Sequence, residues 1–355
     1  MTTLDRPAGL PTFVVPREQA SRAPLVSVVM PVRNEASSVV AAVTSVLEQT
    51  VSDIEVLVVD GSSTDDTADK VRTLAAQHPR VRLLDNPDRT IPHALNVGRT
   101  AARGRYVARV DAHARVNSTY LERAVAELEQ APDVAAVGGV RIGVAATPTG
   151  RAVAAALSSP FGVGGSINHY ATEKQDTDHA SFGVYRHQVL ERVDGWDEQL
   201  LVNEDVDIDH RILGSGHRIR FDPDMQIFWQ VRETLRDFGR QYRRYGRGKA
   251  GMVRKNGPSA VKGRHLVAPA LVASLGGAAA LAAAGHPAAL LAVCAPYATS
   301  VAGISAVISR KQRPPGEEVP ATVLAGSFVV MHLSWGLGFL EGLLAGRKPA
   351  ASSAR

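Results

Sequence analysis

Cysteine is nearly absent from this 355-residue chain. The single Cys294 excludes an intramolecular disulfide and leaves no thiolate cluster for a metal. Also missing at the N-terminus is a charged region followed by an apolar core. Met1 to Arg22 is therefore expected to be a polar, proline-containing lead-in and not a signal peptide. His169 and His179 lie in a polar segment without metal-ligand spacing, and no role is read for them.

Overall charge is modest at +5, but it is unevenly placed. Between Arg232 and Arg264 eleven Lys or Arg face two acids, Glu233 and Asp237, a local net of +9. Tyr242 and Tyr245 are interleaved with these arginines, a pattern that also suits nucleic acid. The stretch abuts an apolar run of membrane-spanning length, so lipid headgroups are the expected partner and nucleic acid is not.

What the chain does have is three long apolar runs, 266–284, 287–308 and 321–344. Each reaches the ~20 residues needed to cross ~30 Å of hydrocarbon. The competing reading is a buried soluble bundle, since Ala and Gly are abundant in them. The basic segment before the first run, and Arg310, Lys311 and Arg313 after the second, predict a cytoplasmic catalytic part and a multi-pass inner (plasma) membrane location. Arg347 and Lys348 disagree mildly and leave open whether the third run crosses or turns back. Glu341 lies near the end of its run, within reach of the interface, and His332 is expected to pack against another helix.

The preceding part alternates strand and helix. Leu25 to Met30, closed by Pro31, and Ile54 to Val59 are apolar, β-branched runs that suit strands buried on both faces. Val81 to Leu84 and Tyr106 to Val110 supply two more. Between them, helices are expected over Glu35 to Gln49, through Ala68, Val71 and Leu74, and over Ile91 to Arg103. Strands joined by helices imply right-handed crossovers, a parallel sheet and a ligand at the strand C-terminal ends. Glu35, Asp60 and Asp111 each follow such an end, so three carboxylates should converge on one crevice. Singly, each would also serve as a helix cap or solvated turn.

These residues sit inside PVRNE, VVDGSSTDDT, NVGRTAARGRYVARVDAHARV, SFGVYRHQVLERVDGWDEQLLVNEDVDIDHRI and QYRRYGRGK. Taken in this order, from about Leu25 to Lys249, the chain resembles the family 2 glycosyltransferases: inverting, nucleotide-sugar-dependent enzymes of the GT-A fold, a Rossmann-like mixed α/β sheet. With its DAHA variant and three-span tail it looks most like bacterial exopolysaccharide glycosyltransferases of the succinoglycan glucosyltransferase type. The implied organisation is a lead-in (1–24), a GT-A domain (25–231), a basic amphipathic interfacial segment (232–264), a transmembrane region (265–346) and a tail (347–355).

The resemblance implies roles. Glu35 and Asp60 would accept hydrogen bonds from the base and ribose of a uridine nucleotide, with Pro31 and Val32 shaping the pocket. Asp111 and His113 stand where the family places an Asp-x-Asp that holds a divalent cation against the diphosphate. Histidine in the second position favours Mn²⁺ over Mg²⁺ if it ligates directly. The alternative leaves the cation to Asp111 and turns His113 to phosphate. Asp205 occupies the catalytic base position, and Glu204 would orient a helix end or the acceptor. Gln241, Arg243, Arg244 and Tyr245 resemble a QxxRW element that clamps diphosphate and stacks on sugar. The same stretch also suits a helix lying on headgroups with Phe238 and Tyr242 inserted. Arg186 falls on the acceptor side, as does Trp196, which serves equally as a sugar platform or a core residue.

Three functions follow as expectations. The first is transfer of a hexose, from UDP-glucose by preference, to a lipid-linked saccharide. The second is transfer onto a polyprenyl phosphate, which needs no base. The third is a noncatalytic membrane scaffold.

Overall fold

The computed structural model describes residues 23–311 and 314–345. The lead-in before residue 23, Arg313 and the tail with Arg347 and Lys348 lie outside the described residues. The elements run β1 (Val26–Val32), α1 (Val39–Leu47), β2 (Ile54–Asp60), α2 (Thr67–Gln77), β3 (Val81–Asp85), α3 (Ile91–Ala101), β4 (Tyr106–Arg109) and β5 (Ala114–Val116). They continue with α4 (Tyr120–Gln130), β6 (Val134–Val144), α5 (Pro148–Leu157), α6 (Pro160–Val163), β7 (Gln175–Thr177), β8 (Val184–Arg186), α7 (His187–Arg192) and α8 (Glu204–Gly214). A long β9 (Arg218–Gln230), a long α9 (Leu235–Asn256) and α10 (Arg264–Ala283), α11 (Ala288–Ser309) and α12 (Ala321–Leu344) complete the chain.

One nine-stranded sheet carries the order β3-β2-β1-β4-β8-β6-β9-β5, with β7 also on β9. The four strands expected from their apolar runs are parallel. Beyond β4 the sheet turns mixed, because β8 runs antiparallel to both β4 and β6. β1 and β2 are buried at every position, so each must be apolar on both faces.

Pro31 does not end β1. It stays in register with Val59, and the strand runs on to Val32. Val29 accepts from Val110 on the β4 side and Val32 accepts from Gly61 on the β2 side, so position 31 faces the β4 side. β4 has already stopped there, opposite Val29, and no ladder asks Pro31 for the N–H it lacks.

The three apolar runs form the continuous helices α10, α11 and α12, each long and apolar enough to cross a membrane. At 1.5 Å per residue, the 24 residues of α12 span about 36 Å, and the helix does not turn back. α12 packs along α9 at a backbone separation only glycine permits. A Cβ at Gly246 would lie 2.2 Å from the Trp335 carbonyl oxygen, and one at Gly338 2.1 Å from that of Arg243. Close approach through small residues is how membrane helices gain contact. The face of α9 with Phe238 is therefore turned to protein and not to headgroups: Phe238 is fully buried, with the Tyr242 ring 4.7 Å away.

Candidate active site

The loops after β1 and β2 are knitted by polar side chains. Ser63 Oγ receives the Asn34 N–H, Asn34 Oδ1 receives the Thr64 N–H, and Thr67 Oγ1 receives the Glu35 N–H. Asn34 and Ser62 adopt φ of 56° and 55°, a left-handed conformation that short polar side chains tolerate. Asp60, at the end of β2, accepts from the Ser63 N–H at 3.1 Å and from its hydroxyl at 2.5 Å. Pro31 and Val32 stay buried in β1 beside it.

Glu35 turns toward the end of β4, where its carboxylate lies 3.4 Å from His113 Nδ1 and accepts from Ser38 Oγ at 2.7 Å. Burial works to raise the Glu35 pKa, but His113 and Ser38 outweigh it and hold the carboxyl below its usual range. The same contact raises His113 above the ordinary histidine value. Asp111 is gripped in a fork by Arg109, at 2.8 and 3.3 Å. Its burial, which alone would raise its pKa, is overcome by that guanidinium, and the carboxyl is held low.

Arg109 also donates to Glu204 at 3.0 Å, joining the β4 end to α8. α8 starts abruptly because Asn203 is left-handed, φ 65°, and its first turn holds Glu204, Asp205 and Asp207. Acids are stabilised there by the helix dipole. Asp205 lies 3.8 Å from His179 Nε2, and the other ring nitrogen, Nδ1, hydrogen-bonds Asp209 at 2.7 Å. Asp209 is completely buried and also accepts from the Ala180 N–H and the Tyr185 hydroxyl. Burial opposes charge on His179, yet the bond to Asp209 and the Asp205 carboxylate outweigh it and raise its pKa. For Asp205 burial would raise the pKa, while His179 and Arg109 bring it below the ordinary aspartate value. Glu204 goes the other way: its burial and the Asp205 charge prevail over Arg109. Two adjacent carboxyls thus differ, and Asp205 is the stronger acid and readier anion.

A cleft of about 800 Å³ is lined by Asp111, His113, Glu204, Asp205, Gln241, Arg244 and Tyr245, seven residues that the sequence singled out. Gln241 donates to the Tyr245 hydroxyl at 2.9 Å, and the Tyr245 carbonyl receives Asn203 at 3.4 Å. Pro31, Val32, Glu35 and Asp60 do not line this cleft, so of the three carboxylates expected on one crevice only Asp111 does, and three other expected site residues are engaged elsewhere. Arg186 spends its guanidinium on the carbonyls of Val134, Leu128 and Ala131. Trp196 is 2% exposed with its ring edge-on to Tyr185. Arg243 pairs with Glu341 of α12. His332 bridges helices, as expected, between the Tyr297 hydroxyl and the Phe161 carbonyl.

The sequence reading passed over Arg109, Arg141 and His179. Arg109 was visible as a lone cation inside the apolar YVARV strand. Arg141 lies 4.2 Å over the Trp229 ring and lines the cleft, with its Nε buried and unpartnered. His179 had no local signal, because its partner is thirty positions away. Among the described residues no group of three or more His, Cys, Asp or Glu converges as a self-sufficient metal site.

Residues 27–194 match Glycosyl transferase family 2. The chain is 31% identical over 332 residues to the succinoglycan biosynthesis protein ExoA of Rhizobium meliloti (strain 1021), covering 91% of this chain and 96% of that protein. It is 23% identical to a dolichyl N-acetyl-alpha-D-glucosaminyl phosphate 3-beta-D-2,3-diacetamido-2,3-dideoxy-beta-D-glucuronosyltransferase of Methanococcus voltae, over 65% of this chain and 74% of the relative. Among solved structures, the mannosyltransferase PcManGT from Pyrobaculum calidifontis, in complex with GDP-Man and Mn²⁺, superposes with a TM-score of 0.59 at 23% identity, covering 91% of this chain and 88% of that one. The chain belongs to glycosyl transferase family 2: it is a glycosyltransferase of the GT-A fold followed by three apolar helices that could span a membrane.

Proposed function

We propose that this glycosyltransferase moves a hexose from a UDP-sugar, UDP-glucose by preference, to a lipid-linked saccharide in exopolysaccharide or cell-envelope glycan synthesis, with inversion at the anomeric carbon. The observation that carries the reading is the continuity of one cleft. It runs from Asp111 and His113 past Asp205 to Val267 and Leu271 of α10 and Trp335 of α12. A water-soluble acceptor would gain nothing from a site that opens into membrane-type helices.

The reaction is one displacement. Asp205, ionised at neutral pH, accepts the proton of the acceptor hydroxyl as that oxygen bonds to the anomeric carbon, and the bond from this carbon to the diphosphate breaks on the opposite face. His179, 3.8 Å away, favours the ionised carboxylate through its charge when protonated and so helps keep it from protonating too early. Glu204 stays with Arg109 and orients it. Glu35 and Asp60, with Pro31 and Val32, receive base and ribose. Arg244 and Arg141 face the diphosphate across the cleft.

A divalent cation fits the donor set at the β4 end. Asp111 and His113 are two donors, too few for a closed site, as expected where the substrate diphosphate supplies the rest. The ion would neutralise the leaving diphosphate, and the imidazole makes Mn²⁺ the favoured ion over Mg²⁺. The helices and basic segment support a multi-pass membrane protein with its catalytic part on the cytoplasmic side.

The test is nucleotide release by the purified chain from UDP-glucose, UDP-galactose, UDP-N-acetylglucosamine or GDP-mannose, with membrane lipid extract and either Mn²⁺ or Mg²⁺. Acceptor-dependent release of UDP is expected. Release from GDP-mannose alone would refute the donor class. Full activity of Asp205→Asn would point instead to transfer onto a lipid phosphate, which needs no base.

A further inference from the structure

Lys249 is 6% exposed, yet among the described residues its ammonium forms no ion pair with a carboxylate. Its nearest partner among the described residues is the thioether of Met252, 3.4 Å away. An ammonium taken out of water needs an anion beside it or tends to lose its proton. Burial, together with the positive charge of Arg264, pushes its pKa down to about 8.

The surroundings do not make up the deficit. Lys262 and Arg264 both converge on Asp178 at 2.5 Å, so that carboxylate is already shared, and Arg264 keeps a buried Nε without a partner. Asp205 is near enough to act on Lys249 through its charge, but no ion pair joins them. The wall formed by α9 and the start of α10 is therefore short of negative charge.

Lys249 also lines the cleft, on the face of α9 that carries Gln241 and Tyr245, at helical spacings of four and eight. The same cleft is also lined by apolar side chains of α10 and α12, Val267, Leu271 and Met331. Val267 is 70% exposed, so the cleft opens at the outer flank of α10, the side that hydrocarbon would cover.

We infer that Lys249, with Arg264 beside it, seats the phosphate or diphosphate of the acceptor's lipid carrier, while the lipid chain leaves the cleft along α10 and the saccharide lies at Asp205. The inference rests on the lipid-linked acceptor proposed above and assigns that acceptor's charged end to named residues. The donor diphosphate belongs with Asp111 and His113 at the end of β4. A saccharide held by its carrier's charge rather than by every hydroxyl would be presented to the base in one orientation.

Binding to the purified full chain in detergent tests this, using farnesyl diphosphate, farnesol, inorganic pyrophosphate and UDP as separate probes. Farnesyl diphosphate should bind about tenfold or more tighter than either farnesol or pyrophosphate. Lys249→Met should cost about tenfold or more of that affinity, Lys249→Arg should retain most of it, and UDP should bind all three proteins alike. Leu271→Trp should weaken farnesyl diphosphate and spare pyrophosphate, since it narrows only the apolar part. Unchanged farnesyl diphosphate binding by Lys249→Met, or pyrophosphate binding as tight as the lipid's, would overturn the seat. So would a parallel loss of UDP, which would hand Lys249 to the donor. If those results came with intact UDP binding and Asp205-dependent turnover, only the seat would fall. Failure of the wild-type chain to bind UDP would remove the functional reading and the seat together.

Discussion

Along the proposed donor wall most carboxylates find a partner close by in sequence, Asp60 at Ser63, Glu35 at Ser38 and Asp111 at Arg109, and Glu35 also reaches His113 in the loop after β4. Along the proposed acceptor wall the partners come from far away: Arg109 reaches Glu204 across 95 positions, His179 meets Asp209 across 30, and Arg264 meets Asp178 across 86. Among the described residues Lys249 has no ion-pair partner, its hydrogen bond going to the Met252 thioether. The donor wall is thus assembled by its own loops, as a site for an invariable nucleotide can be. The proposed acceptor wall exists only once sheet, α8, α9 and the apolar C-terminal helices have come together, and it retains charge for a ligand to complete.

The largest effect that would break this contrast belongs to Asp205→Asn. Loss of the base should lower the transfer rate about 10²–10⁴-fold while UDP affinity, measured by calorimetry, stays put. Next comes the donor side. Asp111→Asn should weaken UDP binding in the presence of Mn²⁺ by roughly tenfold or more and leave UDP binding without metal far less affected.

His179→Asn sharpens the comparison through pH. In the wild-type chain the lowered Asp205 pKa is expected to put the acid limb of the rate profile below the ordinary aspartate value. Removing His179 leaves burial, which raises that pKa, less opposed. The acid limb should move to higher pH, with the plateau rate reduced only modestly. An unmoved limb would separate His179 from the base.

The smallest catalytic effect is expected from Trp196→Phe and Arg186→Met, which lie off the cleft. Trp196→Phe trims a buried ring, and Arg186→Met removes bonds to three carbonyls, each change costing about 1–3 kcal/mol of stability. Melting should reveal that loss while KM for the UDP-sugar stays unchanged. A raised KM would return either residue to the site.

What the sequence displays plainly is what is local. β1, β2 and the three apolar helices α10, α11 and α12 are contiguous apolar runs, and their ends lie within a few residues of those expected. β9 is less legible. Pro223 interrupts it, and its register against β6 jumps between Gly139 and Val140, so neither alternation nor an unbroken apolar run marks it. Asp111 and Asp205 could be singled out because each sits in a motif, whereas Arg109 and His179 are defined by contacts that only the fold creates. Trp196 stayed ambiguous for the same reason: a glycine-flanked tryptophan looks alike whether it faces Tyr185 or a sugar.

The stereochemistry of the product tests the single displacement across these two walls most directly. With a UDP-hexose whose sugar is α-linked, the anomeric proton coupling of the newly attached residue, read by NMR, should report a β linkage. An α linkage would contradict attack from the Asp205 side opposite the departing diphosphate, and with it the division of labour between the two walls.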